Sequence, residues 1–309
     1  MSNEPSRGSS NGLSVGLDIG ATKTLGLVVD ADGGIRATVR EATEPGAEGV
    51  VRTAARVVEA LRAATGDRLA GTVGVGMPGL VDVERGAVKH AVNLGVNGDW
   101  LPLGDLLGER LGTRVVVEND VNVASLGAVA MSGEDDLVYL SIGTGLAAGL
   151  VLGGRLRRGD HGAAGEIGHV PVDPGGALCQ CGQRGCLETI ASGSALAAAW
   201  PSADVPPAQA LFAAALAGDP AAVAARDRFA AGVASAVRVL SLAVDPRTFV
   251  LGGGVAQLGE PLRAAVADAL REQARTSPFL TSLDLAGRLR VVPTHYPVAA
   301  VGAALLGRS

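Results

Sequence analysis

The chain has few aromatic side chains and no strongly basic stretch. Aromatic residues make up 3% of its 309 residues, and the formal net charge is -5. No run of Lys or Arg exceeds two residues, as at Arg157 and Arg158. Proteins that bind single-stranded nucleic acid rely on aromatic stacking, and nucleic acids and anionic membranes both attract basic patches. The composition therefore argues against a nucleic-acid partner and against a membrane partner.

Cysteine and long apolar stretches are also scarce. The three Cys residues all lie between Cys179 and Cys186, and an odd number cannot pair completely, so a disulfide scaffold is not expected. No stretch reaches the roughly 18 uncharged apolar residues of a membrane span. The opening residues lack the apolar segment of a signal peptide and are rich in Ser, Asn, Gly and Pro. We therefore expect a cytoplasmic protein with a disordered tail at residues 1–12.

Glycine, by contrast, is abundant at 45 residues, and apolar residues make up 48% of the chain. The length favours two domains or one large α/β unit with a sizeable core. Residues 13–40 read as three strands, with a hairpin signal at Asp32-Gly33-Gly34. The order strand, Gly-rich turn, strand, Gly-Gly turn recurs over residues 136–154. We interpret this recurrence as an internal duplication of a β-hairpin unit.

The rest of the chain alternates between helical and strand patterns. Asp219-Pro220 is typical of a helix start, and Asp245-Pro246 is expected to end that helix. The other predicted helices cover residues 49–64, 119–131, 258–275 and 297–307, and further strands cover 72–76, 114–117 and 248–251. Residues 153–194 are predicted to be irregular, and a loop of that length is usually functional or held by a metal.

Two glycine-rich turns occupy matching positions in the repeated hairpins. The first, residues 18–24, offers turn amides with Thr22 and Lys23, and the second is Ser141–Gly145. Phosphate binding needs converging N–H groups, a hydroxyl and a cation, with glycine allowing close approach. One such turn alone is more often structural, but two in matching positions favour phosphate binding.

Residues 74–79 match the pattern G-x-G-x-x-G and follow a predicted strand. A dinucleotide site requires a helix to begin there so that its N-terminus meets the pyrophosphate. The residues after Gly79 read as strand or loop, and Pro78 lacks a backbone donor. We therefore reject a dinucleotide site at this position.

Glu118-Asn119-Asp120 stands at a strand end and a helix start. A carboxylate near a helix N-terminus gains a few tenths to about 1 kcal/mol in its ionised form, which is compatible with a functional carboxylate here. The simpler alternative is that Asn119 or Asp120 only caps the helix, and local chemistry favours that alternative.

The strongest chemical pattern is one histidine followed by three cysteines. His169, Cys179, Cys181 and Cys186 form H-x9-C-x-C-x4-C in a Gly- and Pro-rich segment. Four such ligands suit tetrahedral Zn²⁺ and leave no open coordination position, so a structural zinc is predicted. A core histidine with scattered thiols is the alternative, and a hydrolytic zinc is disfavoured because it needs an open position.

Taken together, these segments resemble the ROK family (repressors, open reading frames and kinases) of sugar kinases. The resemblance covers nearly the whole chain after the tail, in the family's order. The segments that carry it are 18–24 (DIGATKT), 77–82 (MPGLVD), 118–128 (ENDVNVASLGA), 141–145 (SIGTG), 165–188 (GEIGHVPVDPGGALCQCGQRGCLE) and 251–254 (LGGG).

The resemblance implies an α/β, actin/hexokinase-like (ribonuclease H-like) fold with two domains and a cleft. We assign residues 13–118 plus 296–309 to a small domain and 119–295 to a large domain that contains the zinc loop 165–188. Asp120 would be the catalytic base, and Mg²⁺ would accompany ATP, with Asp18 near the ion. The implied sugar-binding residues are Gly79, Asn93, Asn119, Asp120, Glu166, His169 and Glu188. The implied nucleotide-binding residues are Asp18, Gly20, Ala21, Thr22, Lys23, Gly143, Thr144, Gly145, Gly253 and Gly254.

The chain also departs from the family pattern. Ala21 replaces the second Gly of the usual G-G-T, and Leu187 and Thr189 replace residues frequent in the family's glucokinases. These replacements lead us to expect N-acetylglucosamine as substrate, phosphorylated at O6, with glucose as the alternative and N-acetylmannosamine, fructose and allose still open. A non-catalytic sugar-responsive regulator is disfavoured because Thr22, Lys23 and residues 143–145 are retained. About a dozen residues before the first strand are too few for a helix-turn-helix. A homodimer or homotetramer is expected.

Overall fold

The computed structural model of the chain describes residues 12–66 and 71–307. The predicted tail, apart from Gly12, lies outside the described residues. The N-terminal elements are β1 (Ser14–Ile19), β2 (Lys23–Val29), β3 (Ile35–Ala42), α1 (Ala47–Thr65), β4 (Val73–Met77), β5 (Leu80–Asp82), β6 (Ala87–Lys89), α2 (Leu103–Leu111), β7 (Val115–Asn119) and α3 (Asp120–Ser132). The later elements are β8 (Leu137–Ile142), β9 (Leu146–Leu152), β10 (Arg155–Leu156), α4 (Glu188–Ala191), α5 (Gly193–Ala199), α6 (Pro207–Leu216), α7 (Pro220–Val244), β11 (Thr248–Gly252), α8 (Glu260–Ala274), α9 (Pro278–Ser282), β12 (Leu289–Val291) and α10 (Val298–Leu306).

The described residues form two compact units. The first contains residues 12–131 and 297–307, and the second contains residues 132–296. The division therefore falls after Met131, whereas the sequence-based boundary falls after Glu118. Helix α3 belongs with the first unit because its buried Val123 shares an apolar cluster with Ala303 and Leu306 of α10.

Each unit contains a five-stranded mixed sheet, and the two sheets have the same strand order. In the first the order is β3-β2-β1-β4-β7, and in the second it is β10-β9-β8-β11-β12. In both, three antiparallel strands are followed by two strands that pair in parallel. The predicted duplication of the hairpin unit therefore extends to the whole sheet.

Local sequence signals set several element ends. The β2–β3 turn is held by Asp30, whose carboxylate accepts N–H bonds from Asp32 and Gly34 at 3.0 and 2.8 Å. Asp219 caps α7 by accepting N–H bonds from Ala221 and Ala222, as the Asp219-Pro220 pair predicts. Asp245 ends α7 in a left-handed conformation. Strand β5 lies where the sequence reads as strand or loop, whereas helices α2 and α9 and the short strands β6, β10 and β12 were not predicted, because segments this short show little periodicity.

Glycine lets the last helix lie directly on the first sheet. A methyl group at Gly16 of β1 would lie 2.0 Å from the carbonyl oxygen of Ala300, and one at Gly74 of β4 would lie 1.8 Å from that of Ala303. Gly76 likewise accommodates Val123 of α3. Two glycines of the G-x-G-x-x-G pattern therefore serve helix packing, and β5 follows where a dinucleotide site would need a helix.

Helices α3 and α10 also meet backbone to backbone. A methyl group at Gly302 of α10 would lie 1.7 Å from the carbonyl oxygen of Val123, and one at Gly127 of α3 would lie 1.8 Å from that of Val298. Neither position can hold a side chain unless the helices separate. This contact fixes α3, and with it the residue that begins α3, Asp120.

No helix among residues 12–66 and 71–307 combines the length and the apolar character that crossing a bilayer requires.

Substituting Gly302→Ala should lower the free energy of unfolding by about 1–3 kcal/mol, because the added methyl group overpacks the contact between α3 and α10. Urea unfolding followed by circular dichroism would measure the change. Gly175→Ala is the control, because a methyl group there would approach only the Asp173 carboxylate, at 3.7 Å. Equal stability of the two variants would contradict the prediction.

Candidate functional site

In the first unit, the predicted phosphate turn joins β1 to β2. Its closing hydrogen bond runs from the N–H of Gly20 to the carbonyl of Lys23, at 2.9 Å. Ala21, Thr22 and Lys23 are exposed, whereas Thr24 is buried and its hydroxyl contacts that of Thr43 at 2.9 Å. The buried Thr24 thus fixes the end of the turn, and the Thr22 hydroxyl and the Lys23 ammonium remain accessible to a ligand.

Asp18 stands at the end of β1 that leads into this turn. Burial, followed by the nearby charge of Asp120, raises the pKa of Asp18 to about 6, while Lys23 opposes the shift. The structure therefore brings Asp18 and Asp120 near enough for their charges to interact. Two neighbouring carboxylates with an opposing lysine form an electrostatic environment that favours a cation.

Asp120 is the first residue of α3, and the two residues before it fix its place. Asn119 caps the helix, since its side-chain oxygen accepts N–H bonds from Val121 and Asn122 at 2.9 and 3.3 Å. The Glu118 side chain is 1% exposed and accepts hydrogen bonds from the Asn119 N–H and the Asn122 amide, both at 2.9 Å. Asn119 thus caps the helix, and the Asp120 carboxylate, which also accepts the N–H of Val121 at 2.9 Å, stands at the positive end of the helix dipole.

Gly79 contacts the same strand end. Its carbonyl accepts a hydrogen bond from the side-chain amide of Asn119 at 3.2 Å. Gly79 has a φ of 108°, and a methyl group there would lie 2.7 Å from the carbonyl oxygen of Lys89. Asn93 is exposed in the one-turn helix Val92–Leu94, which follows close after Lys89. Gly79 and Asn119 are therefore in direct contact, and Asn93 lies on a neighbouring loop.

In the second unit, the repeated turn joins β8 to β9. The N–H of Gly143 donates to the carbonyl of Gly145 at 3.0 Å, and the N–H of Gly193, the first residue of α5, donates to the carbonyl of Gly143 at 2.7 Å. Gly253, with a φ of 82°, lies against Ile142, whose carbonyl oxygen would be 2.6 Å from a methyl group at that position. The structure thus brings residues 143–145 and Gly253 together.

Glu188 joins this turn to the cysteine-rich segment. Its carboxylate accepts the N–H of Leu146 at 3.0 Å, and a methyl group at Gly145 would lie 2.4 Å from the same oxygen. Glu188 is also the first residue of α4, two positions after Cys186. A sugar-binding role was predicted for Glu188, and the structure adds a contact with the glycine-rich turn.

The four predicted zinc ligands form a cluster. One ligand atom from each of His169, Cys179, Cys181 and Cys186 lies within 4.8 Å of the others. The Sγ atoms of Cys181 and Cys186 are 3.7 Å apart, and the Sγ of Cys179 is 3.7 Å from Nδ1 of His169. Two sulfur ligands of a tetrahedral zinc lie about 3.8 Å apart, given Zn–S distances near 2.3 Å. The donor atoms therefore fit a tetrahedral zinc ion.

The backbone around the cluster is already organised. The N–H of Cys179 donates to the carbonyl of Gln183 at 2.8 Å, and the N–H of Gly182 donates to that of Cys179 at 2.9 Å. The backbone N–H of Gln183, followed by its side chain, lowers the pKa of Cys181 to about 6. Burial raises the pKa of Cys186 to about 12. One thiolate is thus favoured without a metal, whereas the Cys186 proton must be displaced when a metal binds.

His169 presents its two ring nitrogens in different directions. Nδ1 faces Cys179, whereas Nε2 lies 3.8 Å from a carboxylate oxygen of Glu166. The ring can therefore use Nδ1 for a metal and keep Nε2 for a second partner. This arrangement matches the dual role that the resemblance implies.

Two residues with clear contacts at these sites escaped the sequence reasoning. Glu118 was noted only as part of a motif, and nothing in the sequence indicated that it would be buried with two hydrogen-bond donors. Tyr139 reads as an ordinary strand residue, yet its hydroxyl accepts the N–H of Gly253 at 3.1 Å. The Tyr139 contact depends on the pairing of β8 with β11, which local sequence does not reveal, whereas the hydrogen bonds of Glu118 are local and only its burial was unforeseen.

Comparison with known proteins identifies relatives over most of the chain. Residues 14–306 match the model of the ROK family. The chain is 37% identical to a glucokinase of Thermotoga maritima, over 82% of this chain and 87% of that protein. A ROK hexokinase structure from Thermus thermophilus superposes with a TM-score of 0.80 at 35% identity, covering 96% of this chain and 98% of the other. A ROK family glucokinase from Streptomyces griseus, in complex with glucose and AMPPNP, gives 0.78 at 35% identity, covering 96% and 99%.

The purified protein should contain about one zinc per chain, and Cys186→Ser should reduce this to below about 0.2, because the site loses a buried thiolate ligand. Elemental analysis by mass spectrometry would measure both values. The control is Gln180→Ala, an exposed residue between two of the ligands. A wild-type protein without zinc after zinc-supplemented expression would disprove the site.

Proposed function

Because the chain belongs to the ROK family of sugar kinases, we propose that it is a cytoplasmic glucokinase that transfers the γ-phosphoryl group of ATP to the 6-hydroxyl of glucose. Its ATP-dependent sugar-kinase activity and its actin/hexokinase-like fold agree with the expectations from sequence. Glucose, the alternative substrate in the sequence analysis, thus replaces N-acetylglucosamine as the proposed substrate. A homodimer or homotetramer remains a prediction.

The observation that carries the choice of glucose is the identity of the relatives. A Thermotoga maritima protein named glucokinase is 37% identical to the chain, and the Streptomyces griseus enzyme was solved with glucose and an ATP analogue. The replacements at Leu187 and Thr189 had suggested N-acetylglucosamine. Leu187 is fully buried, and the Thr189 hydroxyl donates to the carbonyl of Cys186 at 2.7 Å. Leu187 belongs to the apolar core of the second unit and the Thr189 hydroxyl bonds to its own segment, so neither side chain gives a reason to prefer a different sugar.

In the proposed reaction, Asp120 accepts the proton of the sugar 6-hydroxyl. Phosphoryl transfer depends chiefly on positioning and charge neutralisation, and a base adjacent to the hydroxyl assists the attack. Asp120 stands at the N-terminus of α3, where the helix dipole favours negative charge. Glu166, His169 and Glu188 bind sugar hydroxyls, together with Gly79, Asn93 and Asn119. Gly79 offers only its backbone, and the other residues offer carboxylate and amide groups and one imidazole nitrogen, which are suitable partners for hydroxyl groups.

Two hairpin turns bind the phosphates of ATP. Thr22 and Lys23 supply a hydroxyl and a cation from the first turn, and Thr144 and Gly145 supply backbone N–H groups from the second, which the N–H of Gly143 closes. Asp18 is the carboxylate best suited to hold Mg²⁺, which neutralises phosphate charge when bound. Zinc at the four-ligand cluster would hold the segment that carries Glu166, His169 and Glu188.

An ADP-release assay with MgATP and a panel of hexoses tests the proposal. We expect kcat/KM for glucose to exceed that for N-acetylglucosamine and N-acetylmannosamine by about tenfold or more. Asp120→Asn should lower kcat by about 10²–10⁴-fold, because it removes the base and keeps the shape. Asp105→Asn, at an exposed position of α2, is the matched control. A preference for an N-acetyl sugar, or an active Asp120→Asn variant, would refute the proposal.

Without bound Mg²⁺, the Asp18→Asn variant should be more stable than the wild type at pH 7.5. With MgATP, it should be less active. The folded state raises the pKa of Asp18 from 3.8 to about 6, so it holds the proton more tightly than the unfolded state. Ionisation of Asp18 therefore costs stability as the pH rises from about 4 to 6, and the full cost remains above pH 6. We expect a gain of about 1–3 kcal/mol at pH 7.5 that vanishes below pH 4.

Urea unfolding of both proteins at several pH values would measure this difference. For activity, we expect the apparent affinity for MgATP in the wild type to fall as the pH drops below 6, because protonated Asp18 loses its charge. A stability gain that is the same at pH 3.5 and pH 7.5 would show that ionisation of Asp18 is not the cause.

A further inference from the structure

Tyr139 lies in the middle of β8, and its hydroxyl reaches the end of a neighbouring strand. The side chain is 3% exposed, and its oxygen accepts the N–H of Gly253 at 3.1 Å, although the two residues are 114 positions apart. In the pairing of β8 with β11, Tyr139 stands opposite Val250 and Ser141 stands opposite Gly252. The ring therefore extends along the sheet toward the carboxyl end of β11.

Gly252 provides the space for this ring. A methyl group at Gly252 would lie 2.1 Å from the Tyr139 hydroxyl oxygen and 2.3 Å from the ring carbon Cζ. Any side chain at this position would displace the ring from its present place. The Tyr139 ring thus occupies its place only because residue 252 has no side chain.

The arrangement determines where Gly253 lies. Gly253 has a φ of 82°, and a methyl group there would lie 2.6–2.8 Å from the carbonyl oxygen, the carbonyl carbon and the nitrogen of Ile142. Ile142 immediately precedes the turn of residues 143–145. In this turn the N–H of Gly143 donates to the carbonyl of Gly145. The backbone at Gly253 and the base of the second phosphate turn are therefore in contact.

We propose that Tyr139 is a positioning residue for the nucleotide, because its hydroxyl holds Gly253 and Gly254 against the turn of residues 143–145. The inference rests on the proposed assignment of these glycines to ATP. Without the hydroxyl, the N–H of Gly253 loses its acceptor. The backbone at Gly253 must then shift to find another acceptor, and its contact with the turn of residues 143–145 loosens. The nucleotide then meets a turn that has to be ordered on binding, which weakens its affinity.

Calorimetric titration of the full chain with AMP-PNP tests the inference. Tyr139→Phe removes one oxygen and keeps the ring. We expect the Kd for AMP-PNP to rise about 3–10-fold, as for the loss of one hydrogen bond, with the Kd for glucose within about twofold of the wild type. The control is Tyr296→Phe, since Tyr296 is the other tyrosine of the chain and belongs to the same unit. This control should bind AMP-PNP as the wild type does.

Steady-state kinetics give an independent measurement. In Tyr139→Phe the KM for ATP should rise while kcat stays within about twofold, because the contact acts on binding and lies outside the proposed sugar site. A residue that only supported the fold would lower the melting temperature without separating the two ligands. Should Tyr139→Phe fail to fold, Gly252→Ala displaces the same ring from the other side and should show the same selective loss of nucleotide affinity.

Three results would overturn the inference. One is an unchanged Kd for AMP-PNP in a folded Tyr139→Phe protein that still phosphorylates glucose. Another is an equal loss of affinity for glucose and nucleotide, which would indicate general loosening. The third is an equal effect of Tyr296→Phe. If the wild type itself bound no AMP-PNP, the nucleotide assignment would fail before any variant was made, and the two failures are thereby distinguished.

Discussion

The backbone contact between α3 and α10 is the constraint on which the first unit depends. Gly127 and Gly302 let the two helices approach until the carbonyls of Val298 and Val123 fill the places of their side chains. Gly16 and Gly74 let α10 lie equally close to the sheet. Because α3 begins at Asp120, the location of the proposed catalytic base follows from glycines that bind no substrate.

The two sheets show how one unit of structure serves two tasks. Each sheet presents a glycine-rich turn between its first two strands, but the two turns differ in length between the last paired residues of the strands. Four residues, Gly20 to Lys23, separate the pair Ile19 and Thr24, whereas three separate Ile142 and Leu146. The longer turn carries a hydroxyl and a cation. The shorter one accepts the N–H of Gly193 at Gly143, and the Glu188 carboxylate accepts the N–H of Leu146 directly after it. We infer that the first turn contributes charge and the second contributes a fixed set of N–H groups.

The sequence predicted the features that local chemistry determines. The metal cluster could be predicted because four ligand residues fall within eighteen positions, from His169 to Cys186. The caps of α7 and the duplicated hairpins followed from Asp, Pro and Gly at recognisable places. The placement of α3 in the first unit could not be predicted, because it depends on contacts with α10, about 170 positions later. The contact of Tyr139 with Gly253 and the burial of Glu118 likewise arise from strand pairing. Leu187 and Thr189 could not decide between N-acetylglucosamine and glucose, because Leu187 belongs to the apolar core of the second unit and the Thr189 hydroxyl donates to the carbonyl of Cys186.

The position of α10 also has a consequence for the order of events during synthesis. The second unit is continuous in sequence, from residue 132 to 296, whereas the first unit needs the helix at 298–306. Domains generally fold as units while the chain emerges from the ribosome. The first sheet is translated early, yet the glycine-lined face on β1 and β4 stays uncovered until the last helix is made. All residues of the second unit are therefore made before the first unit is complete, and a chain that ended near residue 296 would contain the four metal ligands but lack the helix that packs against α3 and positions Asp120.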